Sequence, residues 1–373
     1  MIYLDNAATT KPDINAIHYA KGFLLEKYYN PSALYRNGIE VANSIKETKQ
    51  NVLKFLGGVN FDVVFTSCGT ESDNQAIFCA VKRGVFVTDK GEHSAVYKSF
   101  LELKNRGNTV LFADLNKDGS VNIDSLIDII RNNKVDFVSI MHVNNETGAI
   151  NDINAIARAI KSINKNIVFH SDGVQAYGKL SYKLSNDIDL YSISGHKINA
   201  LKGTGALLIN KRIKIAPFLI GGGQDNGLRS GTENVFGIKV FDFASKNHYN
   251  NITENFNYVK KLKEKLISKL DKDLFYIISS KDSSPYILSV SAIGLKGEIV
   301  MHLLEEKGII VGNGSACSSK SPFSRVIESC GLGKDILSGV IRISFSIDIK
   351  EEDIDLVADK LNSTVKDLKR IIK

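Results

Sequence analysis

The sequence predicts an α/β protein, in which a large domain has a mainly parallel sheet covered by helices and a smaller domain is α+β. Short apolar runs such as VVFTSCGTES, VFVTDKGEH and NIVFHSDGVQ alternate with helix-like stretches such as INAIARAIKSI. Strands that alternate with helices are joined by right-handed crossovers, and these give a parallel sheet. A chain of 373 residues suggests about two domains. We expect residues 13–250 to form the large domain, and residues 1–12 with 251–373 to form the small one.

The second domain is predicted from a change in the sequence pattern after about residue 250. A Lys-rich helix, YVKKLKEKLISKL, is followed by weaker strands around YILSVSAI and VIRISFSI and by a final helical segment. No repeat of 20 to 50 residues interrupts this order. The N-terminal residues are expected to join this smaller domain.

Composition limits the class of protein. Hydrophobic residues make up 43% of the chain and charged residues 24%, which is typical of a globular protein. No apolar run approaches the roughly 20 residues that cross a bilayer, and MIYLDNAATT lacks an export signal, so we expect a cytoplasmic protein that contacts no membrane. The net charge of +7 is interleaved along the chain without an Arg-rich stripe, so nucleic-acid binding is not expected. Its four cysteines lack CxxC pairs, which predicts reduced thiols and no metal site.

Polar residues close the predicted strands of the large domain. In open parallel sheets, ligands bind beyond the carboxyl ends of the strands. We therefore expect one crevice to collect the residues that end these runs, which are Ser67 to Glu71, His93, Asn145, Asp172 and Ser194 to Lys197.

Lys197 and Asp172 suggest the chemistry of this crevice. A lysine among small residues, as in SGHKINALKGTGAL, loses hydration, and desolvation lowers the pKa of its ammonium toward a reactive amine. A buried Asp172 needs a partner, and the protonated ring nitrogen of pyridoxal 5'-phosphate (PLP) is a natural one. The segment TSCGTES places small residues and hydroxyls at a helix start, where phosphate binds. Taken alone, each signal has a plainer explanation: a solvated lysine, a helix-capping Asp and a capping box.

The motifs taken together resemble a known family. The chain is similar to cysteine desulfurases of the NifS and IscS type, within the class V aminotransferase family of PLP enzymes of fold type I. The resemblance runs from LDNAATT and NPSALYRNG through TSCGTES, GEHSAV, HVNNETG, HSDGVQAYGK and SGHK to GGGQDNGLRSGTENV, GSACSS and IRISFS. It implies the PLP-dependent aminotransferase-like fold, a homodimer, and the removal of sulfur from L-cysteine to give L-alanine.

The resemblance also implies roles for individual residues. Lys197 would bind PLP covalently and, together with His93, move the Cα proton of the substrate. His93 would stack on the PLP ring, although a single histidine is more often a core or surface residue. Arg342 taken alone could equally be a charge on an edge strand. The other implied contacts are Asp172 with the pyridinium nitrogen, Gln175 with the ring hydroxyl, Gly69, Thr70, Ser194 and His196 with the phosphate, Thr232 with the phosphate of a second subunit, and Asn145 and Arg342 with the substrate carboxylate.

The sequence departs from the family pattern at five positions, of which two are adjacent. Ala200 and Leu201 stand where similar proteins have Gly-Pro, and Cys68 stands where they have Gly. Tyr35 replaces a His, and Phe236 a Pro. The first two departures touch the lysine turn and the phosphate loop, and none removes a reacting group.

Cys317 decides which reaction the family resemblance implies. It lies in VGNGSACSSKSP beside Lys320, a composition typical of an exposed loop. A thiolate there would attack the sulfur of L-cysteine and carry it as a persulfide to an acceptor protein. Cys68, Cys79 and Cys330 are assigned to packing.

Three questions stay open at the level of sequence. A selenocysteine lyase or another class V enzyme shares most of these motifs, although an aminotransferase needs no loop thiol. A non-catalytic scaffold for sulfur-transfer partners is the alternative from a different class. The sulfur acceptor can be an iron-sulfur scaffold, a tRNA-thiolation protein or a cofactor-synthesis protein.

Overall fold

The computed structural model describes residues 1–313 and 323–372. Cys317, the predicted sulfur nucleophile, lies outside the described residues. None of the described helices combines the length and the apolar character needed to cross a membrane.

Strands and helices alternate through the first two thirds of the chain. In chain order the described strands are β1 (Ile2–Leu4), β2 (Phe61–Thr66), β3 (Val85–Asp89), β4 (Thr109–Ala113), β5 (Phe137–Ser139), β6 (Val168–Asp172), β7 (Leu190–Ser194), β8 (Gly205–Asn210), β9 (Phe275–Ile277), β10 (Ile287–Ala292), β11 (Ile309–Asn313) and β12 (Val340–Ser344). The described helices are α1 (Ile14–Ala20), α2 (Gly22–Leu25), α3 (Arg36–Leu56), α4 (Gly69–Ala80), α5 (Ser94–Asn105), α6 (Ile123–Asn132), α7 (Ile153–Ile163), α8 (Val235–Asn250), α9 (Ile252–Lys269), α10 (Gly297–Glu306), α11 (Arg325–Ser329), α12 (Lys334–Leu337) and α13 (Glu351–Ile372).

The described strands β2 to β8 form a seven-stranded sheet in the order β2-β8-β7-β6-β5-β3-β4. The pairs from β4 to β7 are parallel, and β8 runs antiparallel between β2 and β7. The predicted α/β class with a mainly parallel sheet is confirmed. Because β5, β6 and β7 are parallel, the residues that follow them emerge at one edge.

Local sequence explains why these elements form. In α7, Ile153, Ile156 and Ile160 are spaced at helical intervals and are buried against the sheet. The Asp152 carboxylate accepts a hydrogen bond from the Ala155 amide at 3.0 Å and so begins the helix. Strand β7, LYSIS, is buried along its whole length, as expected of a parallel strand covered on both faces.

The second sheet has the order β1-β11-β12-β10-β9 among the described strands. Strand β1 pairs in parallel with β11, and the other pairs are antiparallel. Its core includes Leu4, Val300 and Ile341, all fully buried. The N-terminal strand thus belongs to the sheet built by residues after 250, while the exact domain boundaries stay a prediction.

A buried ion network holds the middle of the large sheet. Asp189, 0% exposed, precedes β7 and accepts hydrogen bonds from Lys161 Nζ at 2.5 Å and from the Phe169 amide at 2.8 Å. Arg212 donates to the same carboxylate through Nε at 2.8 Å. Each oxygen of this charge is therefore satisfied, as burial requires.

Asp189→Asn should destabilise the protein by about 3 kcal/mol, because it leaves the Lys161 ammonium buried without its carboxylate. Urea unfolding followed by circular dichroism measures the loss. Asp62→Asn is the control, since Asp62 and its partner Lys211 are exposed and 4.0 Å apart, and it should change stability by less than about 0.5 kcal/mol. Equal effects of the two substitutions would contradict a role of the buried network in stability.

Candidate active site

Asp172 occupies the carboxyl end of β6, near the centre of the large sheet. It is 4% exposed, and its Oδ1 accepts a hydrogen bond from the Val174 amide at 2.8 Å. Burial raises the pKa of Asp172 to about 6, against the opposing effects of the Val174 amide and the Lys197 charge. The site therefore holds a carboxylate at neutral pH that lacks most of its hydration.

Two further carboxyl groups lie behind Asp172. Burial, and then the neighbouring acidic groups, raise the pKa of Asp73 and of Glu92 well above their usual values. Both Glu92 oxygens and Asp73 Oδ1 have no hydrogen-bond partner among the described residues. Burial and the neighbouring acidic groups therefore disfavour the charged forms of Asp73 and Glu92. The sequence motifs did not indicate either residue, since Asp73 follows the TSCGTES motif and Glu92 precedes the histidine of GEH.

His93 faces the same carboxylates. Its ring nitrogen, Asp73 and Asp172 present polar atoms that all lie within 4.8 Å of one another. His93 caps α5, with Nδ1 accepting from the Ala95 amide at 3.2 Å. Burial, and then the Lys197 charge, lower the pKa of His93 to about 4. The ring is therefore neutral at neutral pH, and a neutral flat ring is suited to stacking on another aromatic ring.

Lys197 lies in a short 3₁₀ turn, Gly195–Lys197, that begins where β7 ends. Its Nζ donates to the carbonyl oxygens of Ala7 and Ala8 at 2.6 and 2.7 Å. Both acceptors belong to the LDNAATT motif, 190 positions earlier in the chain. The N-terminal segment thus holds the amine at the end of the sheet that carries Asp172.

The same N-terminal segment secures the lysine turn itself. Thr10 donates through its amide to the His196 carbonyl at 2.9 Å, and its hydroxyl accepts from the Asn199 amide at 2.7 Å. Asn199 has a positive φ of 62°, which is strained for a residue with a side chain. His196 Nδ1 lies 3.2 Å from the Thr9 hydroxyl. Burial, and then the Lys197 charge, lower the pKa of His196 to about 4, so this ring is also neutral.

The start of α4 forms an open cradle beside Ser194. The Ser194 hydroxyl is buried and has no hydrogen-bond partner among the described residues. A Cβ on Gly69 would lie 2.8 Å from the Val174 side chain and 3.5 Å from Ser194 Cβ, so a glycine is needed here. Thr70 is exposed on the first turn of α4, and Cys68 provides no side-chain cap to the helix. The helix amides and the unpartnered hydroxyl are donors that suit a phosphate group.

The Gln175 amide forms a hydrogen bond through its nitrogen and another through its oxygen. Its Nε2 donates to the Ala7 carbonyl at 2.9 Å, and its Oε1 accepts from Lys179 Nζ at 3.1 Å. The same Ala7 oxygen also accepts from Lys197. Gln175 and Lys197 therefore share one acceptor, which places the two side chains next to each other.

The two residues predicted to bind a substrate carboxylate contact each other. Arg342 Nη1 donates to the Asn145 carbonyl at 2.9 Å, and Nη2 pairs with Asp5 at 2.7 Å. Arg342 Nε and Asn145 Oδ1 have no hydrogen-bond partner in the part of the chain that the structure describes. Strand β12, which carries Arg342, lies between β11 and β10, so the alternative of an edge-strand charge is wrong. Asp5 is a site residue that the sequence alone did not indicate.

Thr232 lies near the phosphate cradle in its own chain. It lines a cavity of about 120 Å³ together with Thr66, Ser67 and Gly203. A wider recess of about 530 Å³ is found on α9, at Glu254 and Lys261. That recess contains none of the predicted site residues, so the chemistry is assigned to the strand ends.

The three described cysteines differ in burial, and burial is what a packing role requires. All three are free. Cys330 is buried, and burial raises its pKa to about 12, while the pKa of Cys79 is raised to about 11. Cys68 is partly exposed at the start of α4.

These groups fit PLP. Asp172 can pair with a protonated ring nitrogen, His93 offers a neutral ring, Gly69 and Ser194 form a cradle for phosphate, and Lys197 brings an amine. The same arrangement offers an anion subsite at Arg342 for a substrate carboxylate.

Comparison with known proteins identifies relatives of the whole chain. The class V aminotransferase family model matches residues 2–357. A cysteine desulfurase of a Nostoc species is 34% identical over 100% of this chain and 94% of its own length. The cysteine desulfurase NifS of Azotobacter vinelandii is 33% identical over 99% of this chain and 94% of its own. A solved NifS-like protein superposes with a TM-score of 0.90 at 32% identity, covering 98% of this chain and 99% of the other.

Asp172→Asn should stabilise the cofactor-free protein progressively as pH rises from 4 to 7. The folded protein holds the Asp172 proton up to about pH 6, whereas an unfolded chain releases it near pH 4, so the stability that this proton contributes is lost as pH rises through 6. The variant keeps a neutral side chain throughout and should gain about 2 to 3 kcal/mol over the parent across this window. Urea unfolding of the cofactor-free proteins at pH 4.5 and 7.5 measures the difference.

The control is Asp128→Asn, at an exposed position of α6. Its stability relative to the parent should be independent of pH. If the free energies of unfolding of the parent and of Asp172→Asn differ by the same amount at both pH values, burial of this carboxylate does not oppose its ionisation.

Proposed function

The chain belongs to the class V aminotransferase family and is a PLP-dependent cysteine desulfurase, and we propose that it transfers the sulfur of L-cysteine to Cys317. The observation that carries the proposal is the meeting of Lys197, Asp172 and His93 at one edge of the sheet, beside Arg342. The cysteine desulfurase relatives favour this activity over the selenocysteine lyase and scaffold alternatives.

The described residues around Cys317 support its role. Chain positions 314–322 follow β11, where Gly312 pairs with Arg342. They precede Ser324, whose hydroxyl donates to Glu146, the neighbour of Asn145. Both ends of the segment that contains Cys317 are therefore attached beside the two residues proposed to hold the substrate carboxylate.

Bound PLP supplies an electron sink next to the substrate Cα. The residues of this chain prepare that chemistry. Asp172 keeps its negative charge in place for the ring nitrogen, and Arg342 with Asn145 orients the substrate by its carboxylate. Lys197 Nζ takes the proton from Cα, and the neutral His93 ring covers the reacting face and excludes water.

The sulfur step needs no external oxidant. The Cys317 thiolate attacks the sulfur of L-cysteine, so an S–S bond forms while the Cβ–S bond breaks. The electron pair of that bond stays with carbon, which takes up a proton as the product becomes L-alanine. Cys317 is left as a persulfide, and the outer sulfur passes to an acceptor protein that serves iron-sulfur cluster assembly or the thiolation of tRNA or a cofactor.

Cys317→Ser should abolish persulfide formation and lower alanine release by orders of magnitude, because a neutral hydroxyl is a poor nucleophile toward sulfur. It should bind PLP and L-cysteine as the parent does, since the residues proposed for both are intact. Mass spectrometry of the protein and quantification of alanine are the two measurements.

Two variants separate this result from a general loss of activity. Cys68→Ser should keep both alanine and persulfide formation, and Lys197→Ala should lose the absorbance of covalently bound PLP as well as activity. If Cys68→Ser rather than Cys317→Ser stopped persulfide formation, the assignment of the nucleophile would be wrong.

A homodimer is part of the proposal. Large apolar side chains are exposed on α2 and on the segment that leads to α3, and again before the segment that carries Thr232. A cluster of this kind on an isolated chain favours a protein contact. The exposed residues are Leu24, Leu25, Tyr28, Leu34, Tyr35, Ile39 and Ile220. In such a dimer Thr232 would complete the phosphate site of the partner; the cytoplasmic location stays a prediction from sequence.

Mixing Thr232→Ala subunits with Lys197→Ala subunits tests whether the site is shared. If Thr232 serves the partner, every mixed dimer has one site that lacks both groups and one intact site, and alanine formation should recover. If Thr232 serves its own chain, no site is intact and mixing should restore nothing. Light scattering at micromolar concentration gives the oligomeric state, and a monomer would contradict the proposal.

A further inference from the structure

Lys179 is a buried lysine for which the reaction has no step. It is 4% exposed and follows Gln175 by four positions. Its Nζ donates to Gln175 Oε1 at 3.1 Å and lies 5.7 Å from the centre of the Tyr286 ring. The hydrogen bond of its Nζ is to this neutral amide oxygen rather than to a carboxylate. Burial of an ammonium group that contacts only an amide oxygen and an aromatic ring costs free energy. Packing alone therefore does not explain a lysine at this position.

The electrostatic surroundings of Lys179 are those of the active site. Burial, and then the charges of Lys197 and Arg342, together lower its pKa to about 7. The two residues that act on it are the proposed PLP lysine and the proposed carboxylate ligand.

Hydrogen bonds connect Lys179 to Lys197 through one side chain. Lys179 donates to Gln175 Oε1, Gln175 Nε2 donates to the Ala7 carbonyl, and Lys197 donates to the same carbonyl. A glutamine amide has one accepting and one donating end, whereas a lysine amine at this position provides donors. As a donor, Lys179 therefore favours the orientation of the amide in which Gln175 Oε1 faces Lys179 and Nε2 faces the Ala7 carbonyl.

We propose that Lys179 is a positioning residue that fixes the Gln175 amide with its NH₂ group toward the Ala7 carbonyl and toward the PLP ring hydroxyl. This inference rests on the proposed contact of Gln175 with that hydroxyl. With Lys179 present, Gln175 offers a donor, which stabilises the ionised ring oxygen. Without Lys179, only the Ala7 carbonyl opposes rotation of the amide. A rotated amide would present Oε1, which repels the ionised ring oxygen.

The test is Lys179→Met, which keeps a long apolar side chain and removes the donor. Its PLP dissociation constant, measured by absorbance titration of the cofactor-free protein, should rise about tenfold. The pH midpoint of the absorbance change of bound PLP should move to higher pH, because a positive charge and an oriented donor near the ring oxygen are lost. Lys179→Arg, which keeps the donors, should restore most of the affinity.

Lys263→Met is the matched control. Lys263 is 5% exposed, burial lowers its pKa to about 8, and it donates to Ser283 and Ser284 on the second sheet's side of the molecule. Its loss should lower stability in urea but leave PLP affinity within about twofold of the parent and the pH midpoint unchanged. Lys179→Gln, which keeps a polar group in the buried position, is measured as a second variant and should show an intermediate loss of affinity.

A double-mutant cycle with Gln175→Ala identifies the route of the effect. If Lys179 acts through Gln175, adding Lys179→Met to Gln175→Ala should weaken PLP binding no further. A full additional loss, or a Lys179→Met variant that behaves like Lys263→Met, would overturn the inference. If Gln175→Ala alone left PLP affinity unchanged, the proposed contact of Gln175 with the ring hydroxyl would be wrong. These measurements report PLP binding only, so they do not depend on the role proposed for Cys317.

Discussion

The burial of one negative charge, on Asp172, is the constraint on which the site depends. A carboxylate at the end of a fully covered parallel strand loses its water and must be compensated by protein groups or a ligand. The structure supplies the Val174 amide and the nearby Lys197 charge. Burial and the neighbouring acidic groups raise the pKa of Asp73 and of Glu92 well above their usual values, which disfavours further negative charge beside Asp172. The cost of this arrangement in the cofactor-free protein is the basis of its affinity for a cationic ring nitrogen.

The N-terminal segment connects this charge to the second sheet. Strand β1 pairs with β11, Asp5 pairs with Arg342, and the next residues accept the Lys197 amine. One short segment therefore sets the distance between the lysine proposed to bind PLP and the arginine proposed to bind the substrate. The short motif LDNAATT makes hydrogen bonds to residues up to 340 positions away in the chain.

The sequence predicted the sheet and the strand-end residues because these depend on local patterns. Alternating apolar runs and helices indicate a parallel sheet, and the carboxyl ends of its strands meet at one edge. The partners of those residues depend on long-range contacts. Neither the Asp5–Arg342 pair nor the raised pKa of the Asp73 carboxyl has a local signature in the sequence. The spacing from Gln175 to Lys179 is equally that of a surface helix, and only the burial of both side chains reveals the chain of hydrogen bonds.

The central claim is that Lys197, held on the Ala7 and Ala8 carbonyls, binds PLP, while the nearby Lys179 orients Gln175 and stays unmodified. Borohydride reduction of the PLP-loaded protein, followed by peptide mass spectrometry, locates the attached cofactor directly. We expect the PLP label on the peptide that contains Lys197 and none on the peptide that contains Lys179. A label on Lys179, or on a lysine away from the strand ends, would contradict the account.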